Sequence, residues 1–231
     1  MLPVWSSVVM SESSSRLIRT ADPTQPSIPH HKLSKKAPPV RIFRQDWMES
    51  LTFISFRTFL CCCFVFESIV LTITVEYNVH FWHTILYIVY GLFIWLLTEY
   101  TLHRFIFHFS SERKMIQRLV YIFHGNHHIQ PNHPYRTLMP VIVTLPVGLV
   151  IWALFVFLLK IGLGSALFLG FYLGYIFYDS VHFATHNFQM KRFPFSLWKR
   201  HHLLHHYRTE EHNYAISVPW LDKVFRTHFK L

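Results

Sequence analysis

The stretch Val79–His108, VHFWHTILYIVYGLFIWLLTEYTLHRFIFH, decides the architecture. Its first part, Val79 to Thr98, carries no formally charged side chain. About 20 consecutive apolar residues is the length of helix that crosses a bilayer. The run does not fade into a polar loop. It ends on Glu99 and then on two histidines, His103 and His108. A membrane helix whose end bears imidazoles is the unit from which the rest of the chain is read.

Three further runs match it. Leu138–Leu159 is apolar throughout, with Pro140 near its start and Pro146 inside it, where a kink is expected. Ile161–Tyr178 is slightly shorter and contains Gly162, Gly164, Gly170 and Gly174, which suit close helix contact. Leu51–Val75 is interrupted by Arg57 and Glu67. Arg57 can snorkel toward an interface, whereas Glu67 needs a partner or a water-facing position. Lys160 alone separates two of the runs and predicts a tight helical hairpin. The expected fold is therefore all-α and integral to the membrane, with about four transmembrane helices and a helical cap on one side.

Composition agrees. Charged residues make up 15% of the chain, against about 25% in soluble proteins, and more than half of it is apolar. Residues 1–46 differ, being rich in Ser, Pro and Lys. Such a segment cannot offset its ordering entropy by burial, so a disordered cytosolic tail is expected there, with the membrane-embedded domain at 47–231. Met1–Met10 is fairly apolar but lacks a basic leading region, which argues against a cleaved signal. Cys61, Cys62 and Cys63 lie together inside an apolar run and read as small residues of a span, with lipidation as the other possibility.

The net charge of +10 has a topological reading. Arg16, Arg19, Lys32, Lys35, Lys36, Arg41 and Arg44 precede the first span. Arg104, Arg113, Lys114, Arg118 and Arg136 lie between the second and third. Eight more follow the fourth, from Lys191 to Lys230, whereas the opposite side holds only Lys160. By the positive-inside rule the tail, the long loop and the C-terminal segment are cytosolic, and no nucleic-acid partner is needed to explain the charge.

The histidines follow the same geometry. His103 and His108, then His124, His127 and His128, then His182 and His186, then His202, His205 and His206 all fall on the predicted cytosolic side. Neutral imidazole is a ligand for iron, zinc or copper. Residues three and four apart share a helix face, so each HxxHH triplet is expected to aim its rings one way. His103 and His108, five apart, are about 140° apart on an α-helix and either serve different metals or sit where the helix ends. These are ten candidate ligands. One ion takes at most about six, so two metals are implied. Ligand type alone leaves iron and zinc open, but only iron can activate O2. No separate catalytic residue is needed beyond the ligands. Asp179, Asp222, Glu99 and Glu211 are carboxylates placed to receive a ligand's other ring N–H, or else ordinary interfacial charges. His201 neighbours a triplet and can support it. His133 and His212 are candidates for hydrogen bonds to a ligand or substrate. Tyr207 and Arg208 are candidate headgroup contacts. His80 and His83 fall at the opposite end of the second span, His30 and His31 in the tail, and His228 in solvent.

The order HxxxxH, HxxHH, HxxxH, HxxHH resembles the fatty-acid hydroxylase superfamily of membrane di-metal oxygenases, and within it most resembles fatty-acid 2-hydroxylases. Four strings bear the similarity: Glu99-Tyr-Thr-Leu-His103-Arg-Phe-Ile-Phe-His108; Phe123-His124-Gly-Asn-His127-His128 with Pro131 and Arg136; Tyr178-Asp179-Ser-Val-His182-Phe-Ala-Thr-His186; and Lys199-Arg-His201-His202-Leu-Leu-His205-His206-Tyr207, followed by Asp222-Lys-Val-Phe225. They cover roughly residues 80 to 228. The resemblance implies hydroxylation at carbon 2 of a long-chain fatty acyl group, free or within ceramide or another sphingolipid. It implies O2 as oxygen source and cytochrome b5 with its reductase, or a similar carrier, as electron donor. It implies two metal ions, zinc as bound in structures and iron for catalysis, with all ten histidines as ligands. Members often begin with a fused cytochrome b5 domain; nothing before Leu51 resembles one, so a separate donor is expected. The loop from Pro131 to Arg136 lacks the family's usual Asp-Gly pair, and Leu221 stands where a Trp often precedes the Asp. The rival readings are a carotenoid or sterol hydroxylase, or a desaturase, of the same superfamily, and a membrane metal carrier. The Tyr178-Asp179 and His124-Gly125 strings favour the acyl enzyme. The expected membrane is the endoplasmic reticulum in a eukaryote or the inner membrane in a bacterium.

Overall fold

The computed structural model of the chain describes residues 37–77 and 80–230. Among these residues the elements are helical, with no strand. A short helix α1 (Asp46–Ser50) leads into α2 (Phe56–Glu76), which opens at Ser55, whose hydroxyl accepts the Thr58 N–H at 3.1 Å. Helix α3 (Phe81–Thr101) continues without a break into a π-helical stretch, Leu102–Phe107. Helix α4 (Lys114–Val120), a second π-helical stretch (Tyr121–Gly125) and α5 (Asn126–Ile129) follow. Then come α6 (Val141–Asn187), α7 (Phe195–Tyr207) and α8 (Leu221–Val224).

Three helices are long and apolar enough to cross a membrane: α2, α3 extended to Phe107, and α6. The four apolar runs thus become three elements. The last two runs share α6, whose only non-helical residue is Lys160, at φ 66° and ψ 169°. Its two arms touch: Trp152 Nε1–H donates to Ser165 Oγ at 2.9 Å, and the Phe155 and Phe171 rings are 5.7 Å apart. The predicted hairpin is therefore present, turning on one residue. Pro140 caps the start of α6, and Pro146 sits within it without ending it. Arg57 is exposed in the first turn of α2, away from the apolar middle. Glu67 keeps one carboxyl oxygen buried with no hydrogen-bond partner among the described residues.

Lipid is as apolar as leucine, so helices in a bilayer associate through packing rather than hydrophobic driving force. Helix α2 buries Phe59, Cys63, Phe66 and Val70 along one face, while Phe64, Val65 and Ile69 point outward. Phe66 meets Tyr172 edge-on at 5.1 Å, and Trp95 of α3 meets Phe171 and Tyr175 likewise. Backbones of α3 and α6 come together where side chains are absent. A Cβ on Gly91 would lie 2.0 Å from Leu167 O, and one on Gly170 would lie 1.8 Å from Ile88 O.

The tail expected over residues 1–46 lies, for residues 1–36, outside the described residues, as do His30 and His31. Residues 37–46 are bound to the helical body. Buried Gln130 accepts the Val40 N–H at 2.9 Å and donates to the carbonyls of Ala37 and Pro38, and Arg118 donates to the Ile42 carbonyl. His80 and His83 stand together at the start of α3, at the other end from His103.

Candidate metal centre

The ten histidines meet in two groups of five at one end of the long helices. One group is His103, His108, His124, His128 and His205; the other is His127, His182, His186, His202 and His206. Within each, the ligand-type atoms lie within 4.8 Å of one another. All are buried except His108, which is partly exposed.

Local helix geometry explains the sorting. His103 and His108 fall in the same group because Leu102–Phe107 is π-helical. A π-turn bonds i to i+5 and so brings residues five apart onto one face. This removes the reading in which the two serve different metals. The HxxHH triplets, expected to aim three rings one way, instead bridge the groups. His124 and His128 go to one and His127 to the other; His202 and His206 go to one and His205 to the other. At about 100° per residue, i and i+4 differ by about 40° but i+3 and i+4 by about 100°. The i,i+4 pair stays together and the middle histidine turns across. The two groups adjoin, with His128 and His206 stacked at 4.2 Å.

The nitrogens themselves report what the groups can hold. In the first group His103 Nδ1–H donates to Tyr214 O at 2.5 Å, His205 Nδ1–H to His212 O at 2.7 Å, and His128 Nδ1–H to Glu210 Oε1 at 3.1 Å. An acceptor on Nδ1 leaves the neutral ring with a lone pair on Nε2. Those three lone pairs face the other two rings: His103 Nε2 is 3.1 Å from His124 Nε2 and 3.3 Å from His108 Nε2, His128 Nε2 is 2.9 Å from His124 Nε2, and His205 Nε2 is 3.0 Å from His108 Nε2. His108 and His124 have at most one Nε2–H each, too few to make every one of these contacts a hydrogen bond. A cation at the centre would satisfy them all. Nitrogens about 2.1 Å from one ion and at right angles stand about 3.0 Å apart, which is the spacing found. The second group repeats it: Nε2 of His127 is 2.9 Å from His182 and 3.1 Å from His206, and Nε2 of His202 is 2.8 Å from His186 and 3.0 Å from His206. Both groups fit a transition-metal ion held by imidazoles.

Electrostatics favour the neutral ligand form. Burial, reinforced by the neighbouring imidazoles, holds His124, His202 and His206 well below the usual histidine range.

The supporting carboxylates act differently from expectation. Glu99 Oε1 accepts the Ile216 and Ser217 N–H groups at 2.7 and 2.8 Å. Asp222 accepts Tyr214 N–H and Ala215 N–H, each at 2.9 Å, and the Thr227 hydroxyl at 2.7 Å. Neither touches a clustered histidine. Both hold the loop 214–217, whose Tyr214 carbonyl orients His103. His201 Nε2–H donates to Asp222 at 2.9 Å and stacks on His228, so it braces the same loop. Asp179 Oδ1 is 3.9 Å from His182 Nδ1, and its hydrogen bonds go to Tyr175 OH and Met139 N–H. Nδ1 of His182, His202 and His206 is buried without a hydrogen-bond partner among the described residues. Glu210, rather than Glu211, meets a clustered histidine. His212 contributes through its backbone carbonyl, and His133 accepts the Tyr135 N–H. Carbonyl contacts such as those of Tyr214 and His212 have no sequence signature.

A cavity of about 520 Å3 opens beside the centre. His124, His127 and His182 line its polar end, and Trp95, Val147, Ile151, Phe171 and Tyr172 its apolar depth. Phe171 and His182 lie on one helix, about 16 Å apart along its axis. Tyr207 and Arg208, expected at the headgroup, do not line it; they are exposed at the C-terminal end of α7, with Tyr207 OH accepting from Asn132.

Apolar helices long enough to cross a membrane and two buried five-histidine groups at one end define a membrane protein whose histidines could hold two metal ions. Residues 88–227 match the family model for fatty acid hydroxylase. The chain belongs to the fatty acid hydroxylase family. It is 32% identical over 187 residues to the dihydroceramide fatty acyl 2-hydroxylase FAH2 of Arabidopsis thaliana, covering 81% of this chain and 79% of that protein. It is 33% identical to the human fatty acid 2-hydroxylase over 144 residues, 59% of this chain and 38% of that one. The solved structure of full-length scs7p, in which only the hydroxylase domain is visible, matches with TM-score 0.72 and 28% identity, covering 80% of this chain and 70% of that one. The chain thus spans well under half the length of the human relative.

Proposed function

We propose that this protein hydroxylates carbon 2 of a long-chain fatty acyl group, free or within ceramide or another sphingolipid, with O2 as the oxygen source. Electrons come from a separate carrier such as cytochrome b5 with its reductase. The observation that supports this most is the opening of both histidine groups onto one elongated apolar cavity. We read all ten histidines as ligands, five to each ion. Two iron ions bound there supply the redox chemistry with O2 that no side chain provides, whereas zinc is redox-inert.

The chain's own residues do the remaining work. His103, His128 and His205 are locked in one tautomer by their Nδ1 bonds, so their Nε2 lone pairs point inward without rearrangement. Trp95, Phe171 and Tyr172 exclude water and receive the alkyl chain, which leaves the reacting carbon near His124, His127 and His182. The basic flanks support a cytosolic position for the centre, and the membrane in this reading is the endoplasmic reticulum or a bacterial inner membrane.

The test is to express the full chain with a cytochrome b5 and reductase system, load it with iron and profile lipids by mass spectrometry. A 2-hydroxy acyl product is expected, and it disappears in His127→Ala and His205→Ala. A loaded preparation that yields no hydroxylated lipid overturns the reading. Metal flux without any lipid product would support a carrier instead.

A further inference from the structure

The connection from α6 into α7 exposes apolar side chains beside a membrane-spanning helix. Phe188, Phe193, Phe195 and Leu197 are each half or more exposed, Phe193 at 78%. Contiguous apolar surface of this kind marks an interaction site. The same stretch is basic. Lys191, Arg192 and Arg200 are exposed, and the chain has no acidic residue between Asp179 and Glu210.

Packing sets the level at which these side chains lie. His202 of α7 meets His186 of α6, with their Nε2 atoms 2.8 Å apart. One turn earlier on α7, the Trp198 ring lies 5.8 Å from that of Phe177. Phe177 precedes His186 by nine residues, about 13 Å along the axis of α6. The start of α7 is therefore directed back along the span rather than away from it. The Phe195 ring, 5.8 Å from Trp198, belongs to that level. Leu173 and Phe177 are themselves exposed on the outside of α6, where a membrane-spanning helix meets acyl chains. Lys199 ties the arrangement together, its Nζ donating to the carbonyls of Thr185 and Phe188 at 2.5 and 2.7 Å. Leu197 and Arg200, three apart and both exposed, share one face of α7.

We propose that residues 188–200 form an interfacial anchor. Phe193, Phe195 and Leu197 enter the acyl region of the leaflet on the histidine side, and Lys191, Arg192 and Arg200 bind the phosphates of anionic phospholipids at its surface. The occupant is lipid rather than a soluble partner because the apolar side chains lie beside the lipid-facing side of α6, flanked by cations that no nearby acid neutralises. Long basic side chains reach headgroups while their stems lie on apolar surface. Helix α7 carries His202, His205 and His206, so the anchor holds at the bilayer surface the helix that supplies three of the clustered histidines. None of this depends on the activity proposed above.

The test places the full chain in nanodiscs of phosphatidylcholine, with or without phosphatidylserine. A nitroxide is attached at Phe193→Cys in a chain whose Cys61 and Cys62 are changed to serine, with buried Cys63 left in place. Its relaxation should respond more to oxygen, which concentrates among acyl chains, than to a water-soluble nickel chelate. The reverse order overturns insertion and leaves the face to a soluble partner. Native mass spectrometry then compares the two lipids retained by the chain. Wild type should hold phosphatidylserine more tightly than phosphatidylcholine. Lys191→Gln, Arg192→Gln and Arg200→Gln should each weaken phosphatidylserine binding about fivefold without changing phosphatidylcholine. Equal retention of the two lipids by wild type, a comparison that needs no variant, overturns the headgroup contact. So does an unchanged preference when the three substitutions are combined. Neither readout involves turnover, so a chain that hydroxylates nothing still decides the proposal.

Discussion

At the scale of single residues, the centre depends on groups that present a lone pair rather than on a residue that reacts. The Tyr214 carbonyl fixes His103, and Asp222 in turn fixes Tyr214. Asp222→Ala should therefore lower metal affinity of the group containing His103 by about tenfold, leaving the other ion bound. Metal content per chain across a chelator titration reads this directly; equal loss of both ions would contradict it. The ligands also dictate a pH response. Burial lowers the folded-state pKa of His124, His202 and His206 below the unfolded value of about 6.5. The unfolded state then takes up protons first as pH falls. Stability of the metal-free protein is retained above about pH 6.5 and declines below it, until the folded-state pKa values are reached. Tm of the stripped protein should drop between pH 7.5 and 5.5, and loading with metal should resist the drop. The ten histidines were legible as a set because they recur in clusters on one side of the predicted membrane. The division of each triplet between groups was not legible, because a shared helix face predicts that all three rings aim one way; the 100° step accounts for it once the two groups are seen. Nor were the orienting carbonyls, since every residue has one.

At the scale of elements, two local departures from the α-helix position the site. The π-helical stretch Leu102–Phe107 brings His103 and His108 together, and Tyr121–Gly125 is π-helical around His124. Neither departure shows in the residue pattern, which reads as an apolar α-helix through Phe107. The turn at Lys160 occupies a region of φ and ψ that is almost confined to glycine. Lys160→Gly should stabilise the protein by about 1 to 2 kcal/mol, seen as a raised Tm in detergent. An unchanged or lower Tm would show that the lysine's interfacial charge outweighs the backbone gain. Where α3 crosses α6, the substitution Gly91→Leu would drive a side chain into the Leu167 carbonyl. That change should abolish folding into the metal-binding form, judged by loss of both ions.

At the scale of the whole molecule, the long helices serve as walls for a cavity that ends at the metal centre. Val147 lines that cavity well away from the histidines along the chain. Val147→Trp should shorten it, so that the acyl chains accepted become shorter while metal content is unaffected. Profiling product lengths against the wild type checks this, and an unaltered distribution would mean that the acyl chain lies elsewhere. The segment 37–46 shows how contacts decide what composition cannot. It reads as tail by its residues, yet Gln130 and Arg118 bind its backbone.

The sequence by itself determined the membrane class, the hairpin at Lys160, the identity of the clustered histidines and the family resemblance. Each is encoded in residue type and spacing, which act locally along the chain. Only the tertiary structure decided how five rings join each group, which carbonyls orient them, that Glu99 and Asp222 hold a loop rather than a clustered histidine, and that Arg136 is buried against Glu49. Those depend on distances between residues far apart in sequence, and such distances are set by the packing of α3 against α6 and of the cap across their ends.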